Sequence, residues 1–351
     1  FMEEIKGYQI IYVLEDSLLL YKNFGVYRFQ KETKKIDYLC SFLVDGKKRL
    51  LCACRLANRL FRLSPRCCER LSETLFVVSL VNKVWVVDTE KKNISEINVQ
   101  REGFSTPLNL CKANDKVYWG DYGANSAYGS VNIYSLNQEL QMEVVYTFAE
   151  NTVRHIHNIV FDEANNRFWI FTGDNEKRAG IYIASTNWKE IVPFKTGEQK
   201  YRAVVGFPYK DGIIYATDSV ERENFLYLID KEGVEKKLMS INGSVIYGGV
   251  SKNKYLFSTT VESSENKGLF AYLSTELGGG IKNRNVELLA VDKNSVEIEC
   301  IARYEKDVWP MKLLQYGVIN IPCGQEDNTN LWFLPVACKK VDGQNVLIKN
   351  L

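Results

Sequence analysis

The sequence predicts an all-β protein, a β-propeller of four-stranded antiparallel blades, with seven blades expected and six as the alternative count. Composition and an internal repeat predict it. Among 351 residues there are 20 Tyr, 17 Phe and 6 Trp beside 23 Gly and only 7 Pro, a balance that suits many short strands joined by tight turns. From residue 107 onward, strands ending in a small, polar or acidic cluster recur: KVYWGDYG (116–123), RFWIFTGD (167–174), GIIYATDS (212–219) and KYLFSTTVE (254–262). Their acids, Asp121, Asp174, Asp218 and Glu262, are 53, 44 and 44 residues apart, close to the ~45 residues of one propeller blade.

The segments 8–43 (YQIIYVLED, SLLLYKN, VYRF, KIDYLCSF) supply a first blade and 75–99 (LFVVSL, KVWVVDTE, ISEINV) most of a second. In the repeat proper, first strands read HIHNIVF (155–161), YRAVVGF (201–207) and SVIYGGV (244–250). Third strands read SVNIYSL (130–136), GIYIAS (180–185), FLYLID (225–230) and GLFAYL (268–273), and fourth strands MEVVYTF (142–148), KEIVPF (189–194), EKKLMS (235–240) and VELLAV (286–291). Hairpin signals such as Asp211-Gly212 join them. Three strands within 313–349 complete a last blade, expected beside the first because closure leaves no exposed sheet edge. No Pro-, Ser- or charge-rich stretch breaks the run, so 1–351 reads as one domain, with Phe1 read as a tag remnant.

Residues 47–70 depart from this pattern. Eight Lys or Arg with one acid occur there, and Arg55, Arg59, Arg62 and Arg66 are spaced 4, 3 and 4, which predicts an inserted helix. Its basic stripe suits an anionic glycan, an acidic partner or peripheral contact with a phospholipid surface. A formal net charge of +2 provides no global field for nucleic acid, so none is expected as a partner. Nine cysteines, an odd number in a chain too long to need stapling, fit reduced thiols and a cytoplasmic location; no secretory signal or spanning helix is visible.

In an up-and-down blade, the start of strand one and the end of strand two share a face, which predicts one polar site at a channel mouth. His155, His157, Asp174, Asp218 and Glu262 are the candidate catalytic residues; Asp121, Tyr122, Arg154, Gln199, Tyr201, Arg202 and Tyr247 are the candidate substrate-binding residues. Both histidines of the chain fall in Arg154-His155-Ile156-His157, and on a strand i and i+2 point to one side, so the rings can share a ligand. Imidazoles act as acid or base near neutral pH, carboxylates facing one another acquire separated pKa values, and the fork of Arg202 suits a substrate carboxylate. H-x-H alone falls short of a metal site, which would need Asp174, Gln199 or Glu262 from neighbouring blades, so neither metal nor cofactor is expected.

The segments WGDYG (119–123), VRHIHNIVFDEANNRFWIFTGD (153–174) with GIYIASTNW (180–188), and QKYRAVVGF through YATDS (199–219), with TTVE (259–262), resemble the sialidase-like, BNR or Asp-box β-propellers. They resemble more closely an uncharacterised bacterial subgroup of these propellers associated with surface-polysaccharide gene clusters. Ser185-Thr186-Asn187-Trp188 resembles a degenerate Asp-box turn without its Asp and Gly, and Phe61-Arg62-Leu63-Ser64-Pro65 faintly resembles the F/Y-R-I-P motif. The family's arginine triad is missing. The resemblance therefore implies the propeller and a glycan ligand rather than sialidase activity. Together these readings predict a carbohydrate-active protein, a glycoside hydrolase or lyase-like enzyme acting on an acidic or deoxy-sugar glycan. A non-catalytic glycan-binding or scaffold propeller of bacterial polysaccharide metabolism is the alternative.

Overall fold

The computed structural model describes residues 2–99, 101–175, 177–264 and 272–351. Seven antiparallel sheets follow one another along the chain as the blades of a β-propeller; six have four strands and the last has three among the described residues. Two compact units divide them. The first, residues 1–65, 219–224 and 240–351, holds blades one, six and seven; the second, 66–218 and 225–239, holds blades two to four and most of blade five.

The middle strands explain the apolar runs in the sequence. On Arg167–Gly173, Phe168 and Ile170 enter the core shared with blade three, while Trp169 and Phe171 enter the core shared with blade five. A strand covered on both faces has no polar side to alternate with, and full burial of each large side chain contributes about 1.5–3 kcal/mol. The same division occurs on Lys116–Gly120, where Val117 and Trp119 face blade two and Tyr118 faces blade four.

Within the first unit, blades one and seven are neighbours, as expected. Tyr12 forms a parallel bridge with Cys323, the Val13 amide donates to the Cys323 carbonyl at 2.9 Å, and the Asn345 side chain donates to the Tyr8 carbonyl at 2.7 Å. Trp332 completes the core around Ile10, Leu18 and Leu20.

Two readings of the sequence need correction. VELLAV belongs to the third strand of blade six, Asn285–Asp292, which pairs with Lys254–Thr259; the fourth strand is Ile298–Glu305. Most of the expected strand at 268–273 falls outside the described residues, and Tyr272 and Leu273 are exposed, with none of the burial a third strand has here.

Of the basic stretch expected as a helix over 47–70, only the part up to Phe61 is helical, broken and turned inward, while Cys67–Arg70 is the first strand of blade two. The side chain of Asp45 accepts the Lys47 amide to start Gly46–Ala53, an extended Cys54 interrupts, and Arg55–Phe61 ends on a left-handed Arg62. Arg55 forks onto Asp342 at 2.7 and 2.8 Å, and Arg59, only 2% exposed, reaches Asp307 at 2.6 Å and the Leu314 carbonyl. Buried charge must be paired, so these two arginines fasten the helices to the first unit instead of displaying a stripe. Arg66, in the second unit, donates to the Thr106 carbonyl at 3.1 Å. All nine cysteines are free thiols, and no described helix is long and apolar enough to cross a membrane.

Candidate functional site

Blades three, four and five of the second unit place the start of a first strand beside the end of a second, as the topology requires. The Ile156 amide donates to the Asp121 carbonyl at 2.8 Å, His155 pairs with Gly173, and the Asp218 amide donates to the Arg202 carbonyl at 2.9 Å. Asp174 is the focus of the resulting cluster. Arg154 donates to its Oδ2 at 3.0 Å, His157 Nε2 lies 3.2 Å and His155 Nε2 3.3 Å from its Oδ1, and Arg202 Nη2 is 3.5 Å away. Gln199 reaches the Asp174 carbonyl at 3.5 Å.

Both imidazoles are almost fully buried, with ring centroids 4.9 Å apart. The shared side predicted from H-x-H spacing is thus present, although a bulge interrupts the ladder between Ile156 and Asn158. Backbone carbonyls fix both rings: His155 Nδ1–H donates to Gly123 at 2.6 Å and His157 Nδ1–H to Ala203 at 2.8 Å. This leaves both Nε2 atoms turned towards Asp174, and that of His155 has no partner with hydrogen-bond geometry. Gly173 makes the arrangement possible, since a Cβ there would overlap the His157 ring. The Tyr122 ring packs 4.8 Å from that of His155, with the Arg66 guanidinium 5.5 Å from its own centre.

Burial pushes the Asp174 carboxyl up, but the adjoining His155 and His157 rings outweigh it and hold the group well below the usual carboxylate range. Burial lowers His155 despite the adjacent carboxylate. Asp218 is buried and paired with Arg202 Nε at 3.2 Å.

Other candidates have local structural partners. Asp121 is buried and accepts the Asn132 amide at 2.8 Å, the Tyr134 hydroxyl at 3.1 Å and the Arg101 guanidinium; desolvation outweighs these and raises its pKa. Tyr201 sits in the core with Trp169 and Phe171, and its hydroxyl donates to Glu235. Glu262 and Tyr247 belong to the first unit. There Glu262 accepts the hydroxyls of Ser244 and Thr260, and Tyr247 packs against Val318, Leu334, Val336 and Ala337. Sequence reasoning missed Arg101, which lies in an irregular connection, and missed the carbonyls of Gly123 and Ala203, which no residue type reveals. Gly173 was legible within T-G-D as a small residue, without its reason.

Solved structures share this fold at low identity. A chain of the mitotic checkpoint complex aligns over 95% of this chain and 84% of its own, with 8% identity and a TM-score of 0.54. The CNH domain of AfRom2 aligns over 97% and 94%, with 9% identity and a TM-score of 0.54. A putative 6-phosphogluconolactonase from Bacteroides uniformis aligns over 93% and 92%, with 11% identity and a TM-score of 0.50. These likenesses establish the propeller class and no activity. No protein-family model and no curated protein sequence matches the chain.

Proposed function

We propose that this propeller is a carbohydrate-active enzyme that takes an acidic glycan at the Asp174 cluster and cleaves it by elimination. One observation carries the reading: Arg154, Arg202, His155 and His157 all converge on a single carboxylate. Such a surplus of cationic and imidazole groups suits the carboxylate of a uronate, and the Arg154 guanidinium is positioned to pair with it. Neutralising that carboxylate acidifies the neighbouring C–H; the proton passes to water, its electron pair forms the C=C bond, and the glycosidic oxygen departs with the C–O electrons and takes up a proton from water. Hydrolysis is less well supported, because it needs one carboxyl kept protonated near a second, ionised one. Asp174 and Asp218 instead carry arginine partners. The residues that resemble Asp-box propellers support a glycan ligand. In the Ser185–Trp188 turn, Asn187 accepts the Ser185 hydroxyl at 2.8 Å and Trp188 stacks on Phe168 at 4.6 Å, a structural role like that expected of the motif.

Incubation with a panel of uronate-containing oligosaccharides tests this by the ultraviolet absorbance of the new conjugated double bond. Absorbance that appears with the parent chain and is lost in Asp174→Asn is expected; no unsaturated product from any uronate sinks the enzymatic reading. A non-catalytic glycan-binding propeller is the second reading, favoured by the pairing of each of these carboxylates, and binding without product identifies it. Leu50, Leu56, Leu60 and Phe61 are exposed beside Lys47 and Lys48, and this surface is part of the proposal as a site of peripheral membrane contact.

A further inference from the structure

Within the Asp174 cluster, one buried atom is without a hydrogen-bond partner, the Nε2 of His155. Hydrogen-bond accounting limits what can stand before it. Each Nδ1–H is committed to a backbone carbonyl, so each neutral ring turns an Nε2 lone pair towards Asp174 Oδ1, itself an acceptor. Three acceptors facing one another repel unless something positive lies between them. Protons on both rings would bury two imidazolium ions side by side next to two guanidinium groups, at a high desolvation cost.

We propose that His155 Nε2, His157 Nε2 and Asp174 Oδ1 bind a first-row divalent cation such as Zn²⁺ or Mn²⁺. One ligand atom from each of the three residues lies within 4.8 Å of the others, and the two Nε2–Oδ1 separations are 3.2 and 3.3 Å. Ligands held at about 2.0–2.1 Å from a common ion, at roughly tetrahedral angles, are about 3.3–3.4 Å apart. Two imidazoles and one carboxylate form a donor set that suits these metals and leaves coordination positions open. The outer partners fit as well. Nδ1–H groups donating to carbonyls orient metal-binding histidines, and Arg154 holds Oδ2 while Oδ1 faces the rings. Arg202 is drawn aside by Asp218 at 3.2 Å.

The role of this cation rests on reading the Asp174 cluster as the glycan site: it would complete neutralisation of the sugar carboxylate, with the histidines serving as its ligands. Its presence is measured without any sugar. Protein made without a polyhistidine tag, incubated with excess Zn²⁺ or Mn²⁺ and desalted, should retain about one equivalent of one of them by elemental analysis. His155→Ala and His157→Ala should each lower the affinity at least about a hundredfold. Retention below about a tenth of an equivalent of either metal by the parent chain overturns the proposal, as does unchanged retention in both variants. Should a variant fail to fold, Co²⁺ added to the parent chain decides, because nitrogen and oxygen ligation at this site gives visible absorption bands and their absence refutes it. Metal bound without glycan turnover would sink only the functional reading; turnover by metal-free protein would sink only this one.

Discussion

Blades three and four place an aspartate at equivalent points of the repeat and use the two differently. Asp121 is held by a backbone amide, a tyrosine hydroxyl and Arg101, all serving the stability of its own blade. Asp174 meets two imidazoles fixed from behind by the carbonyls of Gly123 and Ala203 on the neighbouring blades. An acid at a strand end is therefore not a site in itself; what distinguishes the two is the groups that neighbouring strands bring to it.

The largest effect expected from breaking this contrast is that of Gly173→Val. Its side chain would displace the His157 ring, so metal and glycan binding should both disappear, with a stability loss of about 1–3 kcal/mol in chemical denaturation. Next comes the exchange between the aspartates. Asp121→Asn should lower stability by about 1–3 kcal/mol while metal binding persists, and Asp174→Asn should abolish binding with a smaller loss of stability. Equal binding losses in the two would erase the distinction. Arg154→Ala should weaken binding of a uronate oligosaccharide about tenfold by calorimetry and leave the melting temperature nearly unchanged.

The smallest effect sharpens the comparison in the other unit. Asp342, like Asp174, is flanked by two arginines, but it has no imidazoles. Burial pushes its carboxyl up; the hydrogen bond and charge of Arg55, the Ala337 amide and Arg59 outweigh this and hold the group below its ordinary value. A depressed carboxylate contributes stability above its unfolded pKa of about 3.9, and this is lost as pH falls through the lower folded value. Asp342→Asn should therefore destabilise at neutral pH, the gap to the parent chain closing below about pH 4; a gap constant with pH would remove the ion pair from the account.

The blades were legible because a strand buried on both faces must be written in apolar residues, as in RFWIFTG, and because the repeat fixes where each strand ends. Blade six was misread where VELLAV was placed on the fourth strand instead of the third, since pairing depends on a partner's register, which local pattern does not encode. The convergence of His155, His157, Asp174, Arg154 and Arg202 followed from spacing and topology. The roles of Asp121 and Tyr201 did not, because whether a polar side chain faces a cleft or its own blade depends on partners such as Arg101 and Glu235 at other points of the chain. The arginine stripe failed for a related reason: helical spacing shows which residues share a face, while Asp307 and Asp342, hundreds of residues away, decide which way that face turns.

The bridge between Tyr12 and Cys323 also bears on how the molecule is made. Blade one emerges from the ribosome before the other blades, yet one of its flanks is covered by strands translated after all of them, around Trp332 and Asn345. Until those arrive, an early sheet waits with apolar residues and a strand edge open to strangers. A chain shortened before residue 320 should thus be a client of chaperones and proteases rather than a smaller working version of the protein.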